Sequence, residues 1–274
     1  MSVTERKKTI WLIVIFSVVV NVVAWLGPLL GGSPSSPGLG FILWGTAPLL
    51  VSVLMRAVIR DWSDLGIKPA IRKNARWYII SILATPVMVV FMLFIGAMTS
   101  ASSVTGFSMV AYLNMVLPGM AIFFIFAIFE EFGWRGYLVP KLASIRINGY
   151  LASVIVAVVW ATWHMPYIRE LTWVASGSED LITFIPRYYL LLFAYSILYY
   201  EVRIITDSVW PAILLHSLTN SIQHPLAADY LKIVPGMEYL ASFTGLFMIV
   251  FVGLSGVAIN RWRLRKAGLS KSSA

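Results

Sequence analysis

The sequence has no cysteine, which excludes a disulfide framework, a cysteine-bearing zinc module and a thiol nucleophile. It is also short of charge. Asp, Glu, Lys and Arg make up 12% of the 274 residues, half the share of about 25% typical of soluble domains. A water-soluble globule of this size would lack a polar coat. A disordered chain is excluded by the 59% apolar content, because so much hydrophobic surface does not stay solvated. Acidic residues are outnumbered by basic ones, 12 Asp and Glu against 21 Lys and Arg, for a formal charge of +9. The H-E-x-x-H pattern of metalloproteases is missing, no serine stands beside a catalytic-type base, and there is no repeat or low-complexity tract.

Long apolar runs are what the chain does have. A bilayer core needs about 20 apolar residues per helical crossing. Residues 9–55 carry no charge but are interrupted by Gly31-Gly32-Ser33-Pro34-Ser35-Ser36-Pro37-Gly38, so they read as spans 9–30 and 39–59. Residues 77–129 are likewise uncharged and break around 99–108, which predicts spans three and four. Further spans are expected at 150–167, 181–200, 210–223 and 239–259. The expected class is therefore all-α: a polytopic membrane protein with about eight transmembrane helices, one transmembrane domain over residues 1–274, and a motif-bearing core at about 109–225.

The distribution of basic residues predicts the orientation. With the N-terminus in the cytoplasm, all but Arg169, Arg187 and Lys232 of the 21 Lys and Arg fall on the inner side, Arg135 and the tail residue Lys271 among them. Both termini are thus expected in the cytoplasm of a prokaryotic cell membrane. The net charge is assigned to anionic lipid headgroups rather than to nucleic acid. Arg6-Lys7-Lys8 before an apolar run has the outline of a secretory signal. The run is too long for one and lacks an A-x-A-like exit, so helix one is expected to be retained.

Ionisable side chains within such spans are costly and mark function by default. Glu130-Glu131-Phe132-Gly133-Trp134-Arg135 falls inside helix four, which is expected to run to about Leu138 before Pro140 stops it. Arg135 is four residues beyond Glu131, within pairing range. Glu130 points elsewhere and is expected to have no partner in its own helix, which leaves a carboxylate suited to general acid–base work. His164 in helix five, and His216 with Asn220 four residues on in helix seven, complete the polar set. At 1.5 Å per residue, Glu130 lies about 15 Å from Pro140, His164 about 21 Å from Tyr150, and His216 and Asn220 about 9 and 15 Å from Trp210. The four can share one layer near mid-bilayer. His224, beside Pro225, is expected in a loop.

A carboxylate, two imidazoles and a carboxamide on three rigid helices suit acyl-bond hydrolysis. In that reading Glu130 is the general base for an attacking water, with His164 orienting it. His216 and Asn220 donate to the tetrahedral oxyanion. Two histidines and one glutamate also leave a divalent metal such as zinc open as a cofactor.

The ordered motifs Glu130-Glu131-x-x-x-Arg135, Trp160-x-x-x-His164 and His216-x-x-x-Asn220 resemble those of the CPBP family, the type II CAAX prenyl endopeptidases and their bacteriocin-processing and abortive-infection relatives. Trp160 stands where that family usually has Phe. The resemblance implies an intramembrane endopeptidase. It carries water activation to Glu130 and His164, the oxyanion site to His216 and Asn220, and supporting roles to Glu131 and Arg135. It also implies a cytoplasm-facing cavity inside the helical bundle, and as partners membrane lipids and a CAAX-like or other membrane-associated peptide substrate. The family has been described both as metalloprotease and as glutamate-dependent, so the metal stays open. Two other readings compete: a non-catalytic immunity or scaffold protein with the same fold, and a transporter or proton relay.

Overall fold

A computed structural model describes residues 1–171 and 180–268; Lys271, counted above with the tail, lies outside them. Eight helices of sixteen residues or more form the described bundle: α1 Val3–Leu26, α2 Leu39–Ile59, α3 Ile71–Met98, α4 Met109–Gly133, α5 Gly149–His164, α6 Leu181–Thr206, α7 Trp210–Pro225 and α8 Leu246–Lys266. The protein is an all-α polytopic membrane protein. Seven segments are long and apolar enough to cross a bilayer. The exception is α7, whose 16 residues reach about 24 Å at 1.5 Å each. It is the most enclosed of the short elements, packed chiefly between α3 and α4. Beside the helices, β1 (Ser102–Val104) and β2 (Leu231–Ile233) form one short antiparallel ladder, with Ser103 opposite Lys232.

Helix ends differ from the expected ones where charge is locally compensated. The sixth helix runs past Tyr200 to Thr206 because Glu201, buried, accepts from Asn260 at 2.8 Å and from Arg263 at 2.6 and 3.1 Å. The third begins at Ile71, so Arg72, Lys73 and Arg76 emerge from its first turns instead of from a loop. Pro140 does not stop helix four. After Gly133 the chain makes a π-helical turn over Trp134–Leu138 and resumes as Val139–Ser144, with Pro140 in the first turn, where its missing N–H costs nothing.

Successive helices run in alternating directions, which defines two faces. Trp210 Nε1 donates to Ile67 O at 2.6 Å, and Lys141 Nζ meets Asp61 at 2.7 Å. The N-terminus, the loops at 60–70, 145–148 and 207–209, and the end of α8 therefore share one face, here the basic face. Trp25 Nε1 donates to Thr162 O at 3.2 Å, and β1 pairs with β2, which joins the connections 27–38, 99–108 and 226–245 on the opposite face. Apolar side chains such as Val58, Val90 and Val110 point outward, each more than 60% exposed, as expected of surface in contact with lipid chains. One close approach fixes the helix that matters most: a Cβ on Gly133 would fall 2.4 Å from Pro48 Cβ, so α2 lies against α4 immediately beyond its paired glutamates.

Candidate active site

Glu130 and Glu131 end the regular part of α4, and the turn that follows orients them. A π-turn carries one extra residue and is common at functional positions. Its carbonyls are taken up by guanidinium groups from neighbouring helices. Arg203 Nε of α6 donates to Arg135 O at 2.9 Å, and Arg56 Nη2 of α2 donates to Gly136 O. Arg56 is in turn paired with Asp64 at 2.7 Å, and Lys141 with Asp61 at 2.7 Å and Asp64 at 3.0 Å. The loop at 60–70 is thus stapled to the end of helix four.

Above this brace the two carboxylates are used differently. Glu131 is fully buried, and its Oε1 accepts from Arg135 Nη1 at 3.0 Å and from His216 Nδ1 at 2.8 Å. Arg135, also fully buried, makes no hydrogen bond from Nε or Nη2 among the described residues. Its guanidinium instead lies between the rings of Trp160 and Tyr199, 4.4 Å from each centroid, where cation–π attraction offsets part of the desolvation. The expectation that Arg135 belongs with the cytoplasmic loop charges is corrected: it is a core residue, because Glu131 and two aromatic faces receive it. Glu130 is 5% exposed. Its Oε2 accepts from Trp160 Nε1 at 2.7 Å and from Trp134 Nε1 at 3.4 Å, and its Oε1 is 3.8 Å from His216 Nε2. Glu130 thus has no charged partner in its own helix; Trp134, one turn on, supplies a long indole N–H contact.

His164 is the last residue of α5, with Nδ1 2.9 Å from Trp160 O. A carbonyl only accepts, so Nδ1 carries the proton and the neutral ring has its Nε2 lone pair available. Its ring packs edge-on against Trp163 and Tyr188. Asn220 sits one turn beyond His216 on α7 and is half-buried. Glu130, His164, His216 and Asn220 all line a single cavity of about 640 Å³. Glu131 and Arg135 lie beneath its floor and are not among its lining residues. His224, expected in a loop, is in the last turn of α7, stacks near Phe123 at 4.9 Å and lines the same cavity. Pro225 allows this because the helix does not end there but continues into a second π-turn, Leu226–Tyr230.

No group of three His, Asp or Glu side chains forms a metal-ligand set among the described residues. His216 turns Nδ1 to Glu131, and His164 turns Nδ1 to a main-chain carbonyl. Each ring keeps Nε2 toward the cavity, as a metal-bound imidazole also does, and what differs from a zinc centre is that three ligand side chains are not gathered together among the described residues. The cavity is also lined by Pro34, Pro37, Glu170 and Thr244, from connections on the face opposite the basic one. Toward the basic face it is closed by Arg135, Tyr137 and Leu138, none of them exposed.

Sequence reasoning missed Trp134, Trp160 as a donor, and Tyr199. Trp134 was legible as the i+4 neighbour of Glu130. The other two meet the site across helices, and spacing along one chain carries no signal for that.

Comparison with known proteins points the same way as the motifs. Residues 112–222 match the family model described as type II CAAX prenyl endopeptidase, Rce1-like. A curated relative, the CAAX prenyl protease 2 of Methanococcus maripaludis, is 38% identical over 52 residues, a stretch that covers 19% of this chain and 19% of that protein. The match thus spans less than a fifth of the relative's length.

Proposed function

Since residues 112–222 match the model of the Rce1-like type II CAAX prenyl endopeptidases, we propose that the chain is a member of that CPBP family and an intramembrane endopeptidase that hydrolyses a membrane-associated peptide with a glutamate-activated water. The observation that carries this reading is the asymmetric setting of Glu130. One oxygen is tied to two indole N–H groups, and the other is left beside His216 at the cavity wall.

In the proposed reaction, water lies between Glu130 Oε1 and the unprotonated Nε2 of His164. Glu130 takes a proton as the water oxygen bonds to the scissile carbonyl carbon. The resulting oxyanion accepts hydrogen bonds from the Asn220 carboxamide and from Nε2–H of His216, whose ring, with Glu131 at Nδ1 and Glu130 beside Nε2, carries both protons. Collapse breaks the C–N bond, and Glu130 returns its proton to the leaving nitrogen, giving a carboxylic acid and an amine, whose last proton exchange yields carboxylate and ammonium. Glu131 holds the His216 ring through Nδ1, and Arg135 holds Glu131, so these two position the oxyanion donor without touching substrate. No step is routed through a metal. The basic face is assigned to the cytoplasm with both termini, its Lys and Arg in contact with anionic headgroups.

Turnover of a fluorogenic peptide by purified protein in detergent tests the reading. Glu130→Ala and His216→Ala are expected to lose at least 1000-fold in kcat, about 4 kcal/mol at 1.36 kcal/mol per decade. If either variant cleaved as fast as the parent, this mechanism would be wrong.

A further inference from the structure

We infer that the outer face of α8 carries a binding site for one anionic phospholipid, its phosphate held by Arg261 and Arg265 and one acyl chain laid along Leu254, Val257 and Ala258. The inference does not depend on peptide hydrolysis, and it uses none of the residues that line the cavity of Glu130.

The last turns of α8 sort their arginines by face. Arg263 turns inward, where its Nε meets the buried Glu201 at 2.6 Å. Arg261 and Arg265 stand two residues to either side of it, about 200° around the helix, and both are exposed. Four residues apart, they lie one above the other on a single face. Among the described residues no carboxylate pairs with either guanidinium. Two further cations gather beside them: Arg76 of α3 lies 4.8 Å from the centroid of the Trp262 ring, and Lys266 Nζ lies 4.9 Å from it. Like charges one turn apart repel, and α8 carries no acidic residue to offset them. The counter-charge is left to a ligand.

Below the arginines the same face suits an alkyl chain. Leu254, Val257, Ala258, Arg261, Trp262 and Arg265 line one groove of about 370 Å³. Ala258 makes room for it, a methyl group between Leu254 four residues before and Trp262 four residues after. Trp262 is held as a wall, half-buried and packed edge-on against Trp77 of α3 with centroids 5.7 Å apart. From Arg261 to Leu254 the groove runs about 10 Å along the helix at 1.5 Å per residue, into the apolar part of a segment able to span a bilayer. A free phosphate would engage the arginines and leave that length empty, whereas a phospholipid uses both. Guanidinium forks match pairs of phosphate oxygens, and basic sites beside membrane helices receive anionic headgroups. A choline headgroup would bring its own cation among four others.

Native mass spectrometry of the purified full chain, titrated in detergent with phosphatidylglycerol or phosphatidylcholine, tests the site. The parent is expected to bind one phosphatidylglycerol at least tenfold tighter than phosphatidylcholine. Arg261→Gln with Arg265→Gln should abolish that preference. Arg60→Gln with Lys68→Gln removes the same charge from exposed positions elsewhere on the basic face and should keep it. Ala258→Phe fills the groove with every charge in place, and should weaken phosphatidylglycerol binding at least fivefold. These positions are exposed, where substitution rarely disturbs folding. Arg261→Lys with Arg265→Lys, which keeps both charges, should bind with intermediate affinity. Equal loss in the two Gln pairs would reduce the site to general surface attraction and overturn the inference. Phosphatidylglycerol binding unchanged by Ala258→Phe would overturn it too, as would glycerophosphoglycerol, the headgroup without its chains, competing at the same concentration as the lipid.

Discussion

Trp160→Phe isolates one hydrogen bond at the reacting carboxylate. The indole N–H of Trp160 reaches Glu130 Oε2 at 2.7 Å in a site where the carboxylate is only 5% exposed. Phe keeps an aromatic ring against Arg135 but has no donor. A hydrogen bond to a charged acceptor is worth about 1.5–3 kcal/mol. If that energy holds Glu130 in its reactive pose, kcat falls about 10- to 100-fold at 1.36 kcal/mol per decade. Trp134→Phe is the matched control: its N–H lies 3.4 Å from the same oxygen, beyond the usual N–H···O range, so its loss is expected to cost less than about fivefold. The assay is steady-state turnover of the reporter peptide in detergent, well below each variant's melting temperature. That margin matters because the smaller ring also leaves a void that lowers stability by about 1–3 kcal/mol. Trp160→Phe retaining parental kcat, or Trp134→Phe being the worse of the two, would refute the assignment of Glu130's orientation to the Trp160 donor.

The buried pair and the loop network give two further expectations. Arg135→Met leaves Glu131 buried with only His216 beside it, and breaking a buried pair from one side costs about 3–5 kcal/mol. The variant should melt well below the parent in detergent, whereas Glu131→Gln with Arg135→Met together should recover part of the loss. A double variant no more stable than Arg135→Met would contradict this. Asp61 is the cleanest pH probe, being outside the spans. Its hydrogen bond from Lys141, and then the one from Ser63, hold its carboxyl well below the ordinary 3.8. A depressed carboxyl contributes stability that is full above its unfolded value and drains away as pH falls through its folded one. The parent should therefore lose melting temperature more steeply below about pH 4 than Asp61→Asn, and parallel acid limbs would show that the Lys141 contact is energetically idle.

Much of the bundle is legible in the sequence because lipid leaves the backbone few choices: a span must satisfy its own N–H and C=O groups, so long uncharged runs become helices. The breaks around 31–38 and 99–108 and the burial of Glu130, Glu131 and His216 follow from that rule, with His164 half-buried beside them. What escaped it was set by neighbours. Pro140 reads as a stop, yet the π-turn before it supplies a fresh helix start. Glu201 and Arg203 read as the end of helix six, yet Asn260 and Arg263 accommodate Glu201, and Arg203 is spent on Arg135 O, Asp64 O and Asp207. Arg135 reads correctly as the partner of Glu131, but its setting between Trp160 and Tyr199 comes from other helices.

The braced turn of helix four has a consequence for modularity. Arg56, Asp61 and Asp64 stand outside residues 112–222, yet they grip Gly136 and Lys141, a few residues below the glutamates. The segment shared with the family is therefore not a self-sufficient cassette. Transplanted into a foreign bundle without its Asp-bearing loop, it would retain every motif letter and lose the clamp that aims the acid.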